Sequence, residues 1–266
     1  MLPNILSAKH KKIFLLICAS ILLFVPYSYA DAVGIMELYG DTVIPIKEAN
    51  IRMIKEIVTI NLSQLPSIYS STYNGTKYTT NVTNAVFTFK NITNKRMKIE
   101  MGFPFKKVYS GDVAGTTLYG CSPYNFITKI NGERVSIFRK KVNKFVKSKI
   151  GSDYDYMYTW PVTFKSNEKK VIESQYFCSQ ILNENKNLAD TAIYYVTKTG
   201  AFWKGPIGQA DFYILLDSYT SHALKTKTIR AVISPKGYKI VNYKTIEWHF
   251  HNWKPTEDIR IEFYEN

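Results

Sequence analysis

Side chains that alternate apolar and polar in runs spaced ten to fifteen residues apart restrict the fold of this chain more than any other feature. Successive side chains of a strand point to opposite faces, so each run can bury one face and wet the other. Residues 97–103 put Met97, Ile99, Met101 and Phe103 on one face, and Pro104 is expected to end the strand. Residues 51–62 gather Ile54, Val58, Ile60 and Leu62, and residues 154–160 alternate Tyr154, Tyr156, Tyr158 and Trp160. Asn131-Gly132, between runs at 126–130 and 134–138, accepts positive φ at both centres of a type I′ hairpin turn. Further runs fall at 82–90, 170–178, 193–197, 211–216, 228–233, 238–243, 245–251 and 259–263, and no long amphipathic helix competes with them. The period changes once. Phe138, Val142, Phe145, Val146 and Ile150 fall on one helical stripe, with Lys141, Lys144, Lys147 and Lys149 elsewhere. The pattern predicts an all-β fold of about a dozen strands in two sandwich-like lobes, 31–165 and 166–266, with one short amphipathic helix.

The first thirty residues stand outside this pattern. Lys9, His10, Lys11 and Lys12 precede an apolar run at 13–25, and Ser28-Tyr29-Ala30 is a small-residue site before Asp31. That order predicts a signal peptide over 1–30, cut between Ala30 and Asp31. The apolar run is shorter than the roughly 20 residues a permanent membrane helix needs. Ile17 occupies the position before Cys18 where a lipoprotein signal needs a small residue. The mature chain is therefore expected to be periplasmic or secreted and soluble, with no transmembrane segment after signal removal. Export leaves Cys121 and Cys178, a candidate disulfide in an oxidising compartment.

Three of the 35 cations and none of the 21 acids lie in the leader, so the remainder carries 32 against 21, a formal charge of +11. Outside the cytoplasm such a charge favours an anionic envelope polymer or membrane surface as partner, and not nucleic acid. Arg139, Lys140 and Lys144 lie in the basic segment 138–150, which contains no acid. They are candidate ligand-binding residues, either on an anionic surface or as the solvated side of a packed helix.

Motifs for catalysis are sparse. Glu247, His249 and His251 project from one face of an expected strand, while Trp248 and Phe250 project from the other. Two imidazoles and a carboxylate on one face are one way to hold a divalent metal. The same residues also suit an ordinary solvated face. The chain has neither a Gly-x-Ser-x-Gly elbow nor a phosphate-binding glycine loop ending in Gly-Lys-Ser/Thr. No cofactor is expected.

The passage Thr199-Gly200-Ala201-Phe202-Trp203-Lys204-Gly205-Pro206-Ile207 joins two expected strands. Its glycines permit tight turns, Pro206 stiffens the return, and Trp203 is either an anchor for the loop or an exposed ligand-binding side chain. The pattern Thr-Gly-x-x-Trp-x-Gly-Pro-Ile between strands resembles that of a family of secreted bacterial proteins known only as a domain of unknown function. The resemblance implies a bacterial, exported protein and brings no activity and no functional residue. Taken together, the sequence predicts an exported β protein acting as a non-enzymatic binding or envelope-associated module. The alternative is a metal-dependent hydrolase built on the His-x-His strand.

Overall fold

The alternating runs become strands, and the strands pair into three sheets. One four-stranded sheet has the order β1-β12-β17-β14, from Tyr39–Asp41, Thr191–Val196, Ile259–Glu265 and Ile229–Ser234. A second has the order β2-β6-β10-β9, from Ile44–Pro45, Met97–Lys106, Tyr154–Phe164 and Phe138–Lys141. The third and largest is nine-stranded. It runs β15 (Lys239–Val241), β16 (Thr245–Trp253), β13 (Ile207–Leu215), β3 (Ile51–Asn61), β5 (Thr76–Asn91), β11 (Lys169–Ile181), β7 (Tyr124–Ile130) and β8 (Glu133–Arg134), with β4 (Thr72–Tyr73) beside β5. The fold is all-β.

The computed structural model describes residues 39–41, 43–46, 49–62, 72–73, 76–106, 124–150, 154–181 and 191–266. All lie within one compact unit, Met36–Asn266. The expected leader, its cleavage site at Ala30 and Asp31, Cys121 and the Cys178 side chain fall outside this description. The largest sheet takes strands from both sides of residue 165, because β13 lies parallel to β3 with Phe212 opposite Val58.

One buried cluster draws on all three sheets. Phe103 of β6 meets Tyr176 of β11 with ring centres 4.9 Å apart, and Tyr195 of β12 meets Phe212 of β13 at 5.8 Å. Around these rings lie Val58, Phe87, Trp160, Trp248 and Ile261, each almost fully buried. At about 25 cal/mol per Å² of apolar surface removed from water, such a cluster is the main stabilising term. Of the Tyr154–Trp160 stripe, Tyr158 and Trp160 face this cluster, with Phe126 5.1 Å from Tyr158 and 5.9 Å from Trp160, whereas a register shift between Tyr154 and Tyr156 turns Tyr154 to the opposite side. A smaller cluster on the other side of the β10 sheet joins Ile44, Ile46, Met157, Val142 and Val146.

Local chemistry explains most boundaries and three departures from expectation. Asn131 and Gly132 have φ of 51° and 85°, the positive values that the predicted hairpin turn requires. Pro104 does not end its strand. Among the described residues β2 pairs with β6 at Met101 and Gly102, so no described strand pairs with Pro104 on that side, a place that tolerates a missing N–H. The expected helix over 138–150 is half strand: residues 138–141 pair with β10, and the helix is Lys144–Ile150. Asn143 starts it by accepting from the Val146 backbone N–H at 2.9 Å. A second helix, Ser218–Thr226, falls between the expected runs 211–216 and 228–233, where no helix was expected. Asp217 caps its start, and Lys227 at φ 59° ends it.

Candidate functional site

Between β12 and β13 the chain makes a 3-10 turn, Lys198–Phe202, and then a return through Trp203 to Pro206. Three long-range bonds clasp this passage to the body of the protein. The Trp203 indole N–H donates to the Val43 carbonyl at 2.8 Å, the Lys204 backbone N–H donates to Ile51 O at 3.0 Å, and Arg52 Nε donates to Pro206 O at 3.1 Å. The Trp203 ring is buried and its centre lies 4.3 Å from that of Phe89. Glycine is required here for two different reasons. Gly205 holds φ at +73°, and a Cβ on Gly208 would lie 2.6 Å from the Ile54 carbonyl oxygen.

Against this clasp lies a cleft of about 380 Å³, lined by Ala49, Asn50, Met97, Phe202, Trp203, Lys204 and Gly205. Its size falls in the range of small-molecule sites. Met97, Phe202 and Trp203 supply apolar surface, and the exposed Asn50 and Lys204 supply an amide and a cation at the mouth. The sequence singled out Trp203 but not Asn50 or Met97. Asn50 lies just before β3 and Met97 opens β6, both far from the loop in sequence, and only the fold brings them to it.

Arg139, Lys140 and Lys144 lie elsewhere, on the β9 edge of the β10 sheet and the start of the helix behind it. All four residues of β9 are exposed. The Arg139 guanidinium stands 4.1 Å from the Tyr156 ring centre, and the Lys140 ammonium pairs with Glu100. The helix buries Val146, with Val142 buried just before it, and leaves Lys144 in solvent.

The histidine strand forms a third cluster. On β16, His249 lies directly opposite Asp211 of β13. Its Nδ1 is 2.9 Å from Asp211 Oδ1, and its Nε2 is 3.4 Å from Glu247 Oε1. Gln209 donates to the other oxygen of Asp211 at 2.6 Å. His251 is exposed and lies across from Gln209, one register step away. Both ring nitrogens of His249 therefore face carboxylates. The bond to Asp211 raises its pKa above 6.5, partial burial opposes that, and Glu247 adds to the rise. Tyr213, with its ring centre 5.7 Å from that of His249, is pushed up by burial first and then by the Asp211 and Glu247 charges. Protonated, this imidazole is a cation held between two anions. Among the described residues no group of three or more His, Cys, Asp or Glu side chains is placed to hold a metal ion. Asp211 was missed from sequence, although an acid at the head of the run 211–216 was a visible signal.

A fourth polar group lies on the β17 sheet. Glu262 is buried, which pushes its pKa up, but bonds from Arg260, Tyr194 and Tyr264 outweigh burial and hold it below its ordinary value. Both of its oxygens are engaged within the sheet. Among the described residues no helix is long and apolar enough to cross a membrane.

No family model and no curated protein matches this chain. Among solved structures it is similar to a protein of Legionella pneumophila that carries the provisional name of a nutrient binding protein. The two share 22% identity over 85% of this chain and 70% of that one, with a TM-score of 0.66. An M1 zinc metallopeptidase of Deinococcus radiodurans aligns over 80% of this chain and 42% of its own length at 8% identity, but with a TM-score of only 0.33, which carries no argument. The Legionella likeness extends over most of both chains and shows a shared β fold.

Proposed function

We propose that this chain is a non-enzymatic binding module of the cell envelope that takes a small ligand in the cleft beside Trp203. The observation that carries the reading is the cleft itself, whose wall is clasped by three bonds to Val43, Ile51 and Arg52. A wall held this way is preorganised, so little ordering is needed when a ligand enters. Its lining is more polar than apolar and favours a polar ligand with an acidic group near Lys204 and a small apolar part against Met97 and Phe202. The name of the Legionella protein supports a binding role, and the leader-like first thirty residues support export.

Thermal melting of the purified chain against a panel of small carboxylates and phosphates tests the proposal. A true ligand at a hundredfold excess over its Kd should stabilise by about 2.7 kcal/mol, a rise of several degrees in Tm. Asn50→Trp, which fills the mouth, and Lys204→Glu, which reverses its charge, should remove that rise. A shift that survives both substitutions would place the ligand elsewhere and sink the reading.

A further inference from the structure

The β9 edge of the β10 sheet has a composition that the cleft does not explain. Phe138 opens β9 and is 54% exposed, although it is a large aromatic residue in a strand. Arg139, Lys140 and Lys141 follow it, all exposed, and Lys144 stands just beyond at the start of the helix. No acid occurs in sequence between Glu133 and Asp153. Among the described residues β9 pairs with β10 alone, and no described strand lies on its other side. An exposed ring set among four cations is costly in water and apt at the boundary between lipid headgroups and acyl chains, where an aromatic ring and basic side chains are both favoured.

We propose that this edge docks the protein on an anionic lipid bilayer, with Phe138 entering the headgroup layer and Arg139, Lys140, Lys141 and Lys144 over the lipid phosphates. The helix does not insert. Val146 of the helix and Val142 just before it are already buried against Ile44, Ile46, Tyr154 and Met157, so the helix serves as a rigid support behind the edge. Arg139 is stacked on Tyr156 and lies 5.9 Å from the Phe105 ring centre, which holds its guanidinium at the surface. Lys140 pairs with Glu100 at an exposed position, a contact weak enough to exchange for a phosphate. Charge complementarity selects an anionic bilayer, and the ring selects lipid over a purely polar polyanion. This docking is independent of the cleft.

Co-sedimentation of the purified chain with vesicles tests it. Vesicles of phosphatidylcholine containing one-third phosphatidylglycerol should retain the protein at low salt and release it at high salt, while phosphatidylcholine alone should not. Each basic residue near the surface is worth roughly five-fold in partitioning, so removing Arg139, Lys140, Lys141 and Lys144 together should lower it by at least about a hundredfold. Phe138→Ser should weaken vesicle binding several-fold and leave retention on dextran sulfate unchanged. The cleft variant Asn50→Trp should bind vesicles as the parent does. A control variant lacking the remote cations Lys225, Lys236 and Lys239 should fall only slightly. Equal losses in the control and the edge variant would show binding by overall charge and overturn the proposal. So would an unchanged Phe138→Ser, which would mean a polyanion site. Melting curves of every variant confirm folding, and each substitution replaces an exposed side chain.

Discussion

The clasp around Trp203 and the basic edge at β9 each present an aromatic residue beside cations in sequence, and the fold treats them in opposite ways. In Phe202-Trp203-Lys204 the indole is buried, donates to a carbonyl, and packs on Phe89. In Phe138-Arg139-Lys140 the ring is left in solvent at the edge of a sheet. The difference lies in what surrounds each passage. The clasp sits beside the three-sheet core, and its close packing leaves no room for a Cβ at Gly208. Among the described residues β9 has a partner strand on one side only, and the smaller cluster behind it is filled by Val142 and Val146. One region is fixed by packing, and the other is free to carry function at little cost in stability.

Trp203→Ala should break the first half of that contrast. It removes a buried indole, opens a cavity and orphans the Val43 carbonyl, so a loss of about 3–5 kcal/mol is expected in chemical denaturation. A loss below about 1 kcal/mol would show that the clasp is not part of the core. Gly208→Ala comes next. Its new methyl would press on the Ile54 carbonyl, a backbone atom that cannot swing aside, and overpacking of this kind costs about 1–3 kcal/mol. Gly132→Ala, with nothing within 4 Å of its Cβ, separates the effect of φ from that of crowding.

How legible these regions were depends on how local their causes are. The hairpin at Asn131-Gly132 was visible because a two-residue type I′ turn depends on those residues alone. Strand faces such as Met97, Ile99, Met101 and Phe103 were visible because alternation is also local. Burial of Trp203 was not, since its acceptor is 160 residues away in sequence. The helical stripe over 138–150 was half right: Phe145 and Val146 lie on the packed side of the helix with Val142 just before it, but Phe138 belongs to a strand whose partner, β10, lies later in the chain. The helix Ser218–Thr226 was missed because it buries only Ala223 and so shows almost no apolar periodicity, although Asp217 is a good cap. The histidine site needed the pairing register of β13 and β16. Sequence placed His249 with Glu247 and His251; the fold keeps Glu247 beside it, adds Asp211, and leaves His251 one register step away.

That cluster lies between the two extremes, and pH can probe it. The folded pKa of His249 is raised above 6.5, so the protonated ring is held more tightly in the folded than in the unfolded chain. Its contribution to stability is fully present below about pH 6.5 and is lost as pH rises through the folded value. The side chain is 40% exposed, and solvent screening limits the effect to about 1 kcal/mol or less. Melting curves from roughly pH 5 to 9 should therefore show a shallow alkaline decline that His249→Gln flattens. A variant as pH-sensitive as the parent would assign the decline to another group.

The smallest effects belong to the basic edge. Arg139→Ala removes a guanidinium lying 4.1 Å from the Tyr156 ring centre, a contact worth about 0.5–1 kcal/mol where solvent reaches it. Lys140→Ala removes an exposed pairing with Glu100 that contributes about 0–1 kcal/mol. Phe138→Ser should sit near zero or slightly stabilise, because most of the ring is already wet and little apolar surface is lost from contact. Denaturation midpoints for the three variants should fall within a narrow band around the parent, far from that of Trp203→Ala. Were Phe138→Ser to cost more than about 2 kcal/mol, the ring would be a packing residue after all. The contrast between edge and clasp would then collapse, and with it the reason for leaving an aromatic ring among cations.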